Sequence, residues 1–196
     1  MKVLFINGSP NRNGNTSALA KVLLQGVDYE TLNLIDYRIN VYGQDIPGDR
    51  FDEVLGKIRE ADTVVIGSPL YWHNICGSVR NLLDRFYGPV QSGSLHGKLF
   101  FLYQGAAPEK WMLEAGEYTM KRFASIYGLR YEGMATNRKE AEVLAHEFAR
   151  LKQAAKHLEE KLPLEISAEC LPQIKLLASY AEAGETVLAM EKVRRE

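Results

Sequence analysis

GSPNRNGNTS, Gly8 to Ser17, is a run of small polar residues directly behind the apolar KVLFIN. Ser9, Thr16 and Ser17 bring hydroxyls, Asn11, Asn13 and Asn15 bring carboxamides, and Arg12 is the only formal cation in the run. Gly8 and Gly14 permit close backbone approach or a positive φ. Where such a loop leaves a strand and opens a helix, free N–H groups and about half a positive charge gather at one point and attract phosphate. The spacing excludes two familiar phosphate loops. GxxxxGK[ST] needs a lysine where Asn15 follows Gly14, and GxGxxG is absent. Many neutral donors around one cation suit a terminal phosphomonoester. The other reading is a plain turn in which Asn13 or Asn15 caps the helix.

A second loop, GSPLYWHNICGSVRNLLDRFYG, runs from Gly67 to Gly88. Pro69 is expected to fix a turn, after which Tyr71, Trp72 and His73 present three flat side chains, with Asn74 behind them. Tyr71 and Trp72 suit stacking on a ring or covering a subunit contact. His73 is a candidate proton donor, and capping or hydrogen bonding within the loop is its other reading. Cys76 reads as a small residue near a helix start, with no base or cation identified beside it. Asp84 and Arg85 are adjacent on a helix and do not face each other. A third loop, QGAAP from Gln104 to Pro108, is followed by Trp111 and Met112, which suit either a lid or surface packing.

These loops need a scaffold that brings them together. Apolar runs predict strands at Val3 to Asn7, Tyr29 to Leu34, Thr63 to Gly67, Lys98 to Tyr103 and Leu129 to Ala135. Helical spacing recurs at Leu19, Val22, Leu23 and Gly26, at Phe51, Val54, Leu55 and Ile58, and at Val79, Leu82, Leu83 and Phe86. A further helix covers Tyr118 to Tyr127 and stops at Gly128. A long amphipathic one carries Leu144, Phe148, Leu151, Ala155, Leu158 and Leu162. Alternation of this kind predicts an α/β three-layer sandwich on a parallel sheet with right-handed crossovers. In the flavodoxin-like strand order 2-1-3-4-5, the carboxyl ends of strands one, three and four border one crevice, where ligands bind. Residues 1–162 are assigned to this domain. Residues 163–196, with helical patterns at Gln173 to Tyr180 and Glu185 to Arg194, form a C-terminal helical extension that suits covering the domain, a dimer interface or substrate contact.

The chain of 196 residues is 46% hydrophobic, enough for a full core, and its net charge of -1 gives no sign of a nucleic-acid surface. Cys76 and Cys170 lie far apart, without zinc spacing or CxxC. Neither a secretory leader nor a run long enough to span a bilayer is present, so no membrane partner and a cytoplasmic location are expected.

The combination FINGSPNRNGNTSAL, GSPLYWHNICGSVRNLLDR and YQGAAP resembles the NAD(P)H-dependent FMN reductase family of flavodoxin-like proteins. It is also similar to the flavin domain of iron–sulfur flavoproteins. The resemblance covers roughly Met1 to Asn137. It implies non-covalent FMN, with Ser9, Asn11, Asn13, Asn15, Thr16 and Ser17 as the phosphate loop. Pro69, Leu70, Tyr71 and Trp72 would lie along the isoalloxazine, with Gln104, Gly105 and Ala106 on its other side, and Trp72, His73 and Asn74 would meet substrate. It implies homodimers or tetramers with the flavin near the interface. It departs from the iron–sulfur members in having no cysteine between Asp36 and Asp52. Asn11 stands where many relatives carry arginine, leaving charge neutralisation to Arg12.

The expected activity is hydride transfer from NAD(P)H through flavin N5 to a small acceptor such as a quinone, nitroaromatic, azo compound or free flavin. No side-chain nucleophile or metal is required, because the cofactor carries the chemistry. The alternatives are a flavodoxin-type FMN electron carrier without its own NAD(P)H reaction, and a flavin-free scaffold. A preference for NADPH needs a cation at its 2′-phosphate, and spacing alone places none of Arg12, Arg80 and Lys110 there.

Overall fold

The computed structural model describes residues 1–161, with Met1–Phe148 forming one compact unit and Ala149–Glu196 grouped as a second. The expected extension at 163–196, with its two helices, and Cys170 lie outside the described residues.

The apolar runs form β1 (Val3–Asn7), β2 (Glu30–Asn33), β3 (Thr63–Tyr71), β5 (Lys98–Gln104) and β6 (Arg130–Ala135). They pair in parallel in the order β2-β1-β3-β5-β6, which is the expected flavodoxin-like 2-1-3-4-5 arrangement. A two-residue strand, β4 (Asn74–Ile75), pairs antiparallel with the end of β3. The helices are α1 (Asn15–Leu23), α2 (Phe51–Arg59), α3 (Gly77–Asp84), α4 (Lys110–Tyr127) and α5 (Arg138–Lys161).

The period-two alternation of the central strands divides the core between two faces. Leu4, Ile6, Val64, Ile66, Leu99, Phe101 and Tyr103 pack with the apolar stripes of α2, α3 and α4. Val3, Phe5, Val65, Phe100 and Leu102 are buried on the opposite face, where Phe148 of α5 meets Phe100 with ring centroids 5.5 Å apart. Gly128 ends α4 in the left-handed region at φ 92, as its position predicts.

Most strand ends fall within a residue of the sequence reading, and two boundaries differ by more. α4 begins at Lys110, eight residues before Tyr118, because Met112 and Gly116 bury its first turns; Met112 is therefore core, while Trp111 is exposed. β3 runs on to Tyr71, so Pro69 extends a strand instead of making a turn. β1 ends opposite Gly67, so on that side nothing needs the N–H that proline lacks, while on the other side Pro69 lies beside Gln104. The chain reverses later, at Trp72 and His73.

Candidate functional site

The parallel register brings the three loops together at the carboxyl ends of β1, β3 and β5. Asn7 lies beside Gly67, and Pro69 beside Gln104. The Gly8 amide donates to the Gly67 carbonyl at 2.8 Å. A Cβ at Gly67 would sit 2.5 Å from Thr16 Cγ2, and one at Gly105 would sit 3.1 Å from Leu70 Cβ. The first loop therefore touches the second, and the second touches the third.

The first loop is shaped by its own polar groups. Ser9 Oγ accepts from the Asn11 amide at 3.1 Å, and Asn11 Oδ1 accepts from the Asn13 amide at 3.0 Å. Ser17 Oγ donates to the Arg12 carbonyl at 2.7 Å. Asn7, which sequence reasoning passed over, is the hub of the loop. Its Nδ2 donates to Ser17 Oγ at 3.2 Å and to Asn33 Oδ1 at 3.0 Å, and its Oδ1 accepts from the Ser9 amide at 3.1 Å. A polar residue closing a wholly buried strand was the signal for it. Ser9 and Ser17 are buried, whereas Asn11, Asn13 and Asn15 are exposed.

Neither Asn13 nor Asn15 caps α1. Gly14 holds the N-cap position and no side chain bonds the first-turn amides, because Asn15 is already helical and Asn13 lies outside the cap. Gly14 keeps a negative φ of -81, and Gly8 serves close approach, since a Cβ there would meet Val79 Cγ2 at 2.3 Å. Within the same turn, Thr16 is 1% exposed and its hydroxyl has no hydrogen-bond partner. A buried unpaired hydroxyl costs about 1–3 kcal/mol, so it belongs where something else completes it. Arg12 leans outward in a bidentate pair with Asp36, with Nη1 to Oδ2 at 2.6 Å, and so spends its charge on a carboxylate.

In the second loop, Leu70 pairs with Ile75 and Tyr71 with Asn74, leaving Trp72 and His73 as a two-residue hairpin turn. Their φ values are 47 and 63, the left-handed pair that a type I′ turn requires and that Asn-Gly normally supplies. Two bulky residues there store about 1–3 kcal/mol each. The turn drives Trp72 into solvent at 94% exposure. His73 meets the Trp111 ring at 5.4 Å, and Trp111 Nε1 donates to Glu109 Oε2 at 2.9 Å. Tyr71 is exposed, Asn74, Leu70, Gln104 and Gly105 are half-buried, and Ala106 is exposed. Beneath the loops, the Tyr103 hydroxyl is buried without a partner; burial, with the field of Cys76, pushes its pKa up to about 12.

The family model for NADPH-dependent FMN reductase matches residues 1–131. The chain belongs to that family. Its match ends in β6, so it spans all three loops of the reductase fold. A second model, hyaluronidase post-catalytic domain-like, matches residues 119–196, less than half of the chain. An iron-sulfur flavoprotein of Archaeoglobus fulgidus is 40% identical over 98 residues, covering 43% of this chain and 48% of that protein. Iron-sulfur flavoprotein MJ1083 of Methanocaldococcus jannaschii is 33% identical over 99 residues, covering 43% and 51%. The chain thus matches about half the length of these curated relatives. Among solved structures, an FMN-dependent NADH-azoreductase from Bacillus anthracis in complex with FMN superposes with a TM-score of 0.55 at 16% identity, covering 81% of this chain and 99% of that one.

In this FMN reductase family member, the segment between β2 and α2 carries no cysteine and is tied down by polar groups. Asp49 Oδ1 accepts from the Asn40 and Phe51 amides at 3.2 Å each, and Arg85 pairs with Asp49 Oδ2 at 2.5 Å. Asn81 Nδ2 donates to the Ile39 carbonyl at 2.8 Å. Arg85 therefore reaches across to this segment, while Asp84 faces Arg80 at 4.0 Å. No group of ligating side chains able to hold a metal occurs among the described residues, and no described helix is long and apolar enough to cross a membrane.

Proposed function

We propose that the protein is an FMN-dependent oxidoreductase that passes hydride from NAD(P)H to a small planar acceptor, in the class of quinones, nitroaromatics, azo compounds or free flavin. One observation carries the reading: an uncapped helix start, beside a buried hydroxyl with no partner, at the point where three loops converge. A phosphate monoester supplies what both lack, an acceptor for the amides and for Thr16.

When bound, FMN supplies the two-electron chemistry. The chain's own residues bind and orient it. The α1 amides, Thr16 and Ser9 would hold the phosphate, with Ser17 and Asn7 keeping the loop in shape. The backbone from Pro69 to Trp72 and that of Gln104 to Ala106 would flank the ring. His73, which meets Trp111, and the exposed Trp72 beside it on the strained turn would form an aromatic wall that excludes water and seats a flat second substrate; Asn74 adds a polar group beneath it. Arg12, Arg80 and Lys110 each face a carboxylate, so none meets a 2′-phosphate without leaving it. Assembly into a dimer or tetramer belongs to the same proposal, because Trp72 at the mouth presents an apolar surface to a neighbour.

Mixing FMN-loaded protein anaerobically with NADPH or NADH tests this. Rapid loss of the yellow colour is the expected result. A flavin that stays yellow with both nucleotides contradicts the reductase reading and leaves an electron carrier. Protein that takes up no FMN contradicts both.

A further inference from the structure

Where the phosphate loop meets the ring-flanking loop, a group of small side chains fastens one to the other, with Ser68 and Cys76 buried and Ser78 exposed. The Gly8 carbonyl accepts from Ser78 Oγ at 2.7 Å and from Cys76 Sγ at 3.3 Å. The two donors stand 3.2 Å apart. Each carries a single hydrogen, so together they occupy both lone pairs of that oxygen. On the other side, the Cys76 amide donates to Ser68 Oγ at 2.9 Å, and Ser68 Oγ lies 3.3 Å from Cys76 Sγ and 2.8 Å from the Pro69 carbonyl that it faces. Three segments are thus joined through one thiol: the start of the phosphate loop, the end of β3 and the start of α3. Gly8 lies this close because it has no Cβ; one would sit 2.3 Å from Val79 Cγ2 and 3.1 Å from Cys76 Sγ. Cys76 is 2% exposed, so the thiol half of the contact is shielded from water, while Ser78 closes it from the exposed side.

We propose that Cys76 and Ser78 are positioning residues, which fix the separation between the phosphate grip and the ring platform through the Gly8 carbonyl. The inference rests on the FMN reading above. FMN is a ligand with two ends, and its affinity depends on how well both subsites are held at the distance its ribityl chain spans. Rigid coupling raises the effective concentration of the second end once the first is bound; a loose joint lowers it without removing any ligand contact. The clasp should therefore control how much the phosphate adds to flavin affinity, and leave the ring's own affinity largely alone.

The test titrates FMN and riboflavin, by quenching of flavin fluorescence, into the parent protein and into Ser78→Ala, Cys76→Ala and Cys76→Ser, with the melting temperature of each recorded. Ser78 is solvent-exposed, so its substitution leaves the core intact. The FMN-over-riboflavin preference should fall about tenfold in Ser78→Ala and Cys76→Ala, with riboflavin affinity changed less than about twofold, and Cys76→Ser, which keeps a donor, should recover most of the preference. An unchanged preference in folded Ser78→Ala and Cys76→Ala, or equal weakening of both flavins, overturns the clasp. A parent protein with no preference for FMN overturns the flavin reading itself, and the clasp with it.

Discussion

Thr16 is the residue on which the site is most exposed to test. Its hydroxyl is buried and unpaired, in the first turn of a helix that no side chain caps. A hydrogen bond to a charged group is worth about 1.5–3 kcal/mol, so Thr16→Ala should weaken FMN binding about tenfold or more while leaving riboflavin binding nearly unchanged. Fluorescence titration with both flavins measures this. The hairpin tip makes an opposite kind of prediction. Trp72 and His73 sit at φ 47 and 63, where Asn and Gly are at ease. Replacing Trp72→Asn and His73→Gly together should raise stability by about 1–5 kcal/mol in urea unfolding, the strain of both residues less about 1 kcal/mol for the entropy of glycine, and should raise the acceptor KM because the aromatic wall is gone. At this scale the sequence was legible where composition speaks: the hydroxyls and carboxamides of Gly8 to Ser17 form the hydrogen-bonded loop between β1 and α1. It was silent on Asn7, whose role arises from Asn33 and Ser17 meeting across two elements. It also misled on capping, because Asn13 and Asn15 lie just either side of the position that Gly14 takes.

Among elements, the helices and strands followed from periodicity, and their ends did not. Pro69 looked like a turn because proline breaks sheets in general, yet β1 stops at Asn7 and leaves that flank of β3 open. The first turns of α4 escaped notice because KWMLEAGE mixes exposed Trp111 with buried Met112 and Gly116, which blurs its stripe. A Cβ at Gly116 would press on the Tyr103 ring at 2.4 Å, so that turn is held by close packing, which no period reveals. The segment between β2 and α2 supplies the pH dependence. Burial opposes the charge on Asp49, but the Arg85 guanidinium and the Asn40 and Phe51 amides outweigh it and hold the carboxyl below its usual range. A depressed carboxyl pKa gives stability that is present above the unfolded-state value and is lost as pH falls through the folded-state value. The melting temperature of the parent should thus exceed that of Asp49→Asn at neutral pH, and the gap should close in acid. A gap that is constant with pH contradicts the latch.

For the molecule as a whole, the doubly wound order β2-β1-β3-β5-β6 places three sequence-distant loops at one edge. The alternation of strands and helices made that order legible, since few topologies satisfy right-handed crossovers. The contacts between the loops were not legible, because they depend on glycines at positions 8, 67 and 105 admitting neighbours at close range. The claim on which everything turns is that the start of α1 grips a phosphate. Calorimetric titration of the flavin-free protein with FMN and with riboflavin tests it most directly. Two charge-assisted bonds at about 1.5 kcal/mol each predict FMN binding about a hundredfold tighter or more. Equal affinities for the two flavins would contradict the account.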